Sequence, residues 1–102
     1  MTDAEFLQEV KRYVLELDPQ AEVWLFGSRA RGDARPDSDW DFLVLTEKQV
    51  DRSYKYSVWD QLNELELSAE RVISTRVWNN RSWGDMAVTD LYQNIQEDGR
   101  RL

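Results

Sequence analysis

The 102-residue sequence contains no cysteine and no histidine. Disulfides, thiol nucleophiles, zinc-finger sites and histidine-based triads are therefore excluded. Any chemistry falls to carboxylates, hydroxyls, Lys or Arg, or to a metal held by oxygen ligands. No apolar run approaches the roughly 20 residues that cross a bilayer, and the N-terminus lacks a signal-peptide pattern. The expected compartment is the cytoplasm, with no membrane association. Positive charge is also short: 13 basic side chains face 20 acidic ones, for a formal net charge of -7. That balance argues against general affinity for a nucleic-acid backbone, which rewards positive surface. It leaves room for a local basic pocket that takes one nucleotide.

A chain of this length is expected to form one domain, residues 1–102, with a modest core. Five Trp, four Tyr and three Phe supply bulky material for it. Thr2-Asp3-Ala4-Glu5 has capping-box form, and Phe6, Leu7, Val10, Val14 and Leu17 recur at helical spacing, predicting a helix over residues 3–17. Asp18-Pro19 ends it, because the residue before proline is pushed out of the helical region. Val23–Phe26 reads as a short strand, broken by Gly27-Ser28, where a short helical turn begins with Ser28 as its cap. Asp39–Thr46 reads as a second strand, with Asp39 and Asp41 on one face and Trp40 and Phe42 on the other. Val50, Tyr54, Val58, Leu62 and Leu65 predict a helix over about 47–66, and β-branched residues 71–78 a third strand. Residues 79–85 read as a loop. Thr89 caps a last helix that Gly99 stops.

The stretch "GSRARGDARPDSDWDFLV", Gly27 to Val44, concentrates the chemistry. It has the two-glycine spacing of a P-loop but lacks the Lys and Ser/Thr that must follow. Asp37, Asp39 and Asp41 mimic the start of an EF-hand loop, yet Phe42 and Lys48 stand where Gly and Glu are needed. Arg31-Gly32-Asp33 is a chance tripeptide match. What remains is Gly27-Ser28, ten intervening residues, then Asp39-Trp40-Asp41. Two carboxylates at i and i+2 on one strand face can share a divalent cation, and oxygen ligands select Mg²⁺ or Mn²⁺. A glycine turn lets backbone approach a phosphate, and N–H groups at a helix start favour the anion. Ser28 adds a hydroxyl, and Arg29 and Arg31 add positive charge.

This stretch resembles the signature of the minimal nucleotidyltransferases of the DNA polymerase beta superfamily: Gly-Ser, about ten residues, then Asp-x-Asp. The resemblance implies an α+β fold, a small mixed or antiparallel sheet flanked by helices. It implies that Asp39 and Asp41 are catalytic and bind Mg²⁺ (or Mn²⁺). Gly27 and Ser28 would hold the β- and γ-phosphates of ATP, Arg29 and Arg31 would steady the loop or the triphosphate, and Ser38 would orient the approach to the metal strand. The implied reaction moves a nucleoside monophosphate, AMP from ATP, to a hydroxyl. The implied acceptor is a tyrosine of a small helical HEPN-type partner, for which this chain would act as antitoxin.

Family members usually carry a third carboxylate on the next strand, and there this sequence has Ser74 or a neighbour. Glu64, Glu66 and Glu70 lie upstream as substitutes. The alternative is a module of the same fold that neutralises its partner by binding alone.

Overall fold

The computed structural model describes residues 1–102. Helix α1 covers Asp3–Leu17, and the capping box forms as the sequence implies. Glu5 donates its backbone N–H to the Thr2 hydroxyl at 3.1 Å, and Thr2 donates its own N–H to the Glu5 carboxylate at 2.8 Å. Strand β1 covers Glu22–Phe26, helix α2 Ser28–Arg31, strand β2 Trp40–Thr46 and helix α3 Arg52–Ala69. Strand β3 covers Ile73–Asn79, helix α4 Asn80–Gly84, helix α5 Asp90–Asp98 and strand β4 Arg100–Arg101.

The strands form one mixed sheet in the order β3-β2-β1-β4. β1 runs antiparallel to β2 and β4, while β2 and β3 are parallel, joined by the α3 crossover. A parallel pair needs such a crossover, because no tight turn can return the chain to the same direction. β2 is interior to the sheet, and six of its seven residues are buried. That accounts for its run of Phe42, Leu43, Val44 and Leu45, since a strand covered on both faces loses the apolar/polar alternation.

One face of the sheet packs on α1 and α3. Phe6, Val10 and Val14 from α1 and Val58, Leu62 and Leu65 from α3 meet Val23, Leu25, Trp40, Phe42, Val44 and Val77. Full burial of one such side chain is worth about 1.5–3 kcal/mol. The other face carries Leu43, Leu45, Trp24, Phe26 and Trp78, which Trp83 of α4 and Leu91, Tyr92 and Ile95 of α5 cover. That cover sits over the Leu43–Leu45 end of β2. Asp41 lies on the same face at the strand's beginning. No helix is long and apolar enough to cross a membrane.

The structure corrects several expected boundaries. α3 starts at Arg52 rather than near 47, because Asp51 caps it, accepting the N–H of Tyr54 at 2.8 Å. Residues 80–84 are helical rather than loop, since Asn79 caps them through the N–H groups of Arg81 and Ser82 and Trp83 anchors them in the core. Asp39 falls one residue before β2. Gly99 ends α5 as expected, and β4 then adds to β1.

Candidate active site

Trp40 ties the charged loop to the core. Its ring packs edge-on against Phe6 at 5.1 Å between centroids, and the Arg29 guanidinium lies 4.6 Å above it on the loop side. Such a contact is worth on the order of 0.5–2 kcal/mol. Arg29 also donates to the carbonyls of Ser38 at 2.9 Å and Pro36 at 3.2 Å. Ser38 closes the turn by accepting the Arg35 N–H on its hydroxyl at 2.9 Å. Arg29 and Ser38 therefore brace the loop between α2 and β2. With Trp40 turned inward, the strand's alternation turns Asp41 to the opposite face.

β1 and β2 pair so that Phe26 lies opposite Asp41. Gly27, the next residue, passes directly beside the Asp41 carboxylate. A β-carbon at position 27 would overlap Oδ2 of Asp41 and stand 3.2 Å from its Cγ. Gly27 also has φ +77°, which L side chains rarely adopt. Two independent constraints thus select glycine here. Gly27 is also the cap of α2, accepting the N–H groups of Ala30 and Arg31 on its carbonyl, and it has no side chain to cap with. Ser28 is consequently the first helical residue and not the cap, leaving its hydroxyl uncommitted.

Neither Asp39 nor Asp41 forms a salt bridge or a side-chain hydrogen bond within the chain. Burial holds the Asp41 carboxyl above its ordinary range, and the neighbouring charge of Asp39 adds to the rise. Arg76 and Arg31 oppose it. A half-buried carboxylate beside an exposed one, with no protein donor to either, is a locus of uncompensated negative charge. Arg31 is partly engaged, bridging to Asp33 at 3.2 Å.

The strand on the far side of β2 supplies no carboxylate. Ser74 is the register partner of Asp41 on β3. Glu66 does not substitute, because its carboxylate accepts the Ile73 N–H at 2.7 Å and so clamps the α3–β3 junction. Glu70 is the left-handed residue that ends α3. No group of three or more Asp or Glu side chains converges anywhere in the chain. Two carboxylates without a third are a donor set that fits one Mg²⁺, an ion commonly held by one or two carboxylates plus substrate phosphates. They do not make a protein-only cage. Arg76, on the same face as Asp41 and Ser74, was not singled out by sequence reasoning, because only the β2–β3 register shows which side it takes. A broad surface groove, lined in part by Glu47, Lys55, Trp78 and Arg81, lies at the opposite end of the β2–β3 pair.

A family model described as "Nucleotidyltransferase domain" matches residues 7–100. Over 48 residues the chain is 40% identical to the Probable protein adenylyltransferase MntA of Haemophilus influenzae, a match covering 47% of this chain and 42% of that relative. The chain thus matches less than half the length of that curated relative. Among solved structures, a toxin–antitoxin crystal structure with AMP-PNP superimposes with a TM-score of 0.67 at 22% identity, over 92% of this chain and 69% of that one. A complex of a tri-AMPylated Shewanella oneidensis HEPN toxin with its MNT antitoxin gives a TM-score of 0.65 at 19% identity, over 98% and 71%. At these identities the structural likeness establishes a shared fold.

Proposed function

This chain belongs to the nucleotidyltransferase domain family, and from that premise we propose that it transfers AMP from ATP to a hydroxyl of a protein partner. The observation that carries the proposal is the approach of Gly27 to Asp41, with Asp39 alongside and neither carboxylate paired. A backbone without a side chain at that point admits a phosphate next to the carboxylates. Asp39 and Asp41 would hold Mg²⁺, which when bound neutralises triphosphate charge and favours in-line displacement. Gly27 and Ser28 would receive the β- and γ-phosphates at the start of α2. Arg31 would contribute charge from the same loop, while Arg29 and Ser38 would keep that loop in shape. In the transfer, the acceptor oxygen bonds to the α-phosphorus and the bridge to the β-phosphate breaks. Pyrophosphate leaves with the electron pair, and the hydroxyl proton passes to solvent.

We assign the acceptor as a tyrosine on a small helical HEPN-type protein, with this chain as antitoxin. Support comes from the relative named as a protein adenylyltransferase and from the solved complex of an MNT antitoxin with an AMPylated HEPN toxin. A single compact fold offers little wall for a second small-molecule pocket, so an acceptor that brings its own surface suits it. The reading requires the cytoplasm, where ATP is available. The test is incubation with Mg²⁺, labelled ATP and a co-encoded helical protein. Label on tyrosine of that protein, lost with Asp39→Asn, is the expected result. Failure of the wild type to label any partner that it demonstrably binds would reject transfer. One observation favours a second reading: Ser74, and no carboxylate, stands beside Asp41. Under that reading the chain neutralises its partner by contact alone, and neutralisation would survive Asp41→Asn.

A further inference from the structure

The β2–β3 register assigns a face to each residue next to the carboxylates. Asp41 pairs with Ser74 and Leu43 with Arg76, so Asp41, Leu43, Ser74 and Arg76 share one face of two adjacent parallel strands. Val44 and Val77, one position along, are buried in the core of the other face, which confirms the alternation. Arg76 stands one register step from Asp41 on that face, exposed, and its charge acts on Asp41.

The other arginines near the site are at least partly engaged. Arg29 is bound to the Pro36 and Ser38 carbonyls and stacked on Trp40, and Arg31 bridges to Asp33. Arg76 forms no salt bridge and no side-chain hydrogen bond. Its positive charge is therefore uncompensated within the chain apart from its action on Asp41. A second divalent cation between Asp41 and β3 would need an anionic ligand from β3. It would find a neutral hydroxyl at Ser74 and a fixed positive charge at Arg76.

We propose that Arg76 is a built-in cation that takes the β3 side of the Asp39–Asp41 pair and restricts the site to one divalent ion. This rests on the nucleotide-and-metal reading of the same pair. Two carboxylates and a triphosphate together outweigh the charge of one Mg²⁺, and Arg76 supplies part of the balance in place of a second ion. Arg76 then supplies the positive charge that the transferring phosphoryl group meets on the side away from the Gly27 turn. A guanidinium suits this because it stays protonated and presents planar paired donors to phosphate oxygens.

The test counts metal ions rather than turnover. Mn²⁺ binding is followed by electron paramagnetic resonance with protein and a non-hydrolysable ATP analogue in equal amounts, against an analogue-only baseline. Wild type is compared with Ser74→Asp and with the Ser74→Asp/Arg76→Ala double variant, and circular dichroism verifies that all three are folded. The expected result is one Mn²⁺ per chain for wild type and for Ser74→Asp, and two for the double variant. Two ions in wild type or in Ser74→Asp, or one in all three proteins, would overturn the role of Arg76 while leaving the nucleotide site standing. No Mn²⁺ and no analogue bound by any of them would instead overturn the underlying site assignment, and the inference with it.

Discussion

A carboxylate stands at each end of strand β2, Asp18 from the end of α1 against Thr46 and Asp41 near the strand's start, and the two are treated in opposite ways. At its C-terminal end Asp18 is wholly buried, and donors surround it. Thr46 donates its hydroxyl to Oδ2 at 2.6 Å, Tyr54 donates its phenol to the same oxygen at 2.8 Å, and the Gln20 N–H reaches Oδ1 at 3.2 Å. The Lys48 ammonium lies 3.8 Å away. Burial alone would raise the Asp18 carboxyl, but the hydrogen bonds and Lys48 outweigh it and hold it below its ordinary range. At the other end Asp41 has a like charge beside it and no donor, and it is raised. The comparison separates two uses of one residue type. Asp18 joins α1, β2 and α3 into a single structure. Asp41 is left unsatisfied by the fold, as the proposed ligand role requires.

Removal of charge at the two ends should therefore act on different properties. The largest effect is expected from Asp41→Asn, which should weaken Mg²⁺-dependent ATP binding by at least about 100-fold, more than loss of an outer-shell partner costs. The same change should leave stability unaltered or raise it by a few tenths of a kcal/mol near neutral pH. A carboxyl raised in the folded state favours folding while protonated, and that contribution is lost as pH rises through its folded value. Thermal melts at pH 5 and pH 8 check this, and a clear destabilisation at both would count against the contrast.

Asp18→Ala should do the reverse. It strands the hydroxyls of Thr46 and Tyr54 and should cost about 3 kcal/mol, lowering the melting temperature by roughly 10–20 °C. ATP binding by the folded protein should be unchanged. Because Asp18 is lowered on folding, its stabilisation is present above the ordinary carboxylate range and is lost as pH falls through its folded value. In the wild type this contributes to unfolding below about pH 4, and the Asp18→Asn variant should show a flatter acid limb.

Gly27→Ala should join the two properties. It combines a positive φ, worth about 1–2 kcal/mol, with a collision against the Asp41 carboxylate. Both the melting temperature and ATP affinity should fall, with affinity reduced about tenfold by calorimetric titration. The smallest effect belongs to Tyr54→Phe, which removes one donor to Asp18 and should cost about 1 kcal/mol in urea unfolding. The Tyr54 phenol is pushed up to about 12, chiefly by burial, so it remains a donor through the physiological range.

The two ends of β2 also differ in how legible they are in the sequence. The Asp41 end is written locally. Gly27-Ser28, ten residues and Asp-x-Asp form a spacing that strand alternation converts into one face. The register adds that Gly27 touches Asp41, which spacing alone does not contain. The Asp18 end is not local, since Thr46 and Tyr54 lie 28 and 36 residues away. In the sequence Asp18 is simply the residue before a proline that ends α1. Helix α1 was legible because its capping box and apolar stripe agree. The start of α3 was not, because residues 47–50 fit helical spacing as well as those beyond Asp51 do. α4 and β4 are too short for periodicity to register, and tertiary contacts of Trp83 and pairing with β1 create them.

On the proposed function, Asp41 stays unpaired so that it can share a cation with a nucleotide. Calorimetric titration of ATP into wild-type and Asp41→Asn protein, each with Mg²⁺ and with a chelator, tests it most directly. Wild type should bind with Mg²⁺ only, and the variant at least about 100-fold more weakly with Mg²⁺ and not at all with chelator. Equal binding with and without Mg²⁺, or full binding by Asp41→Asn, would contradict it.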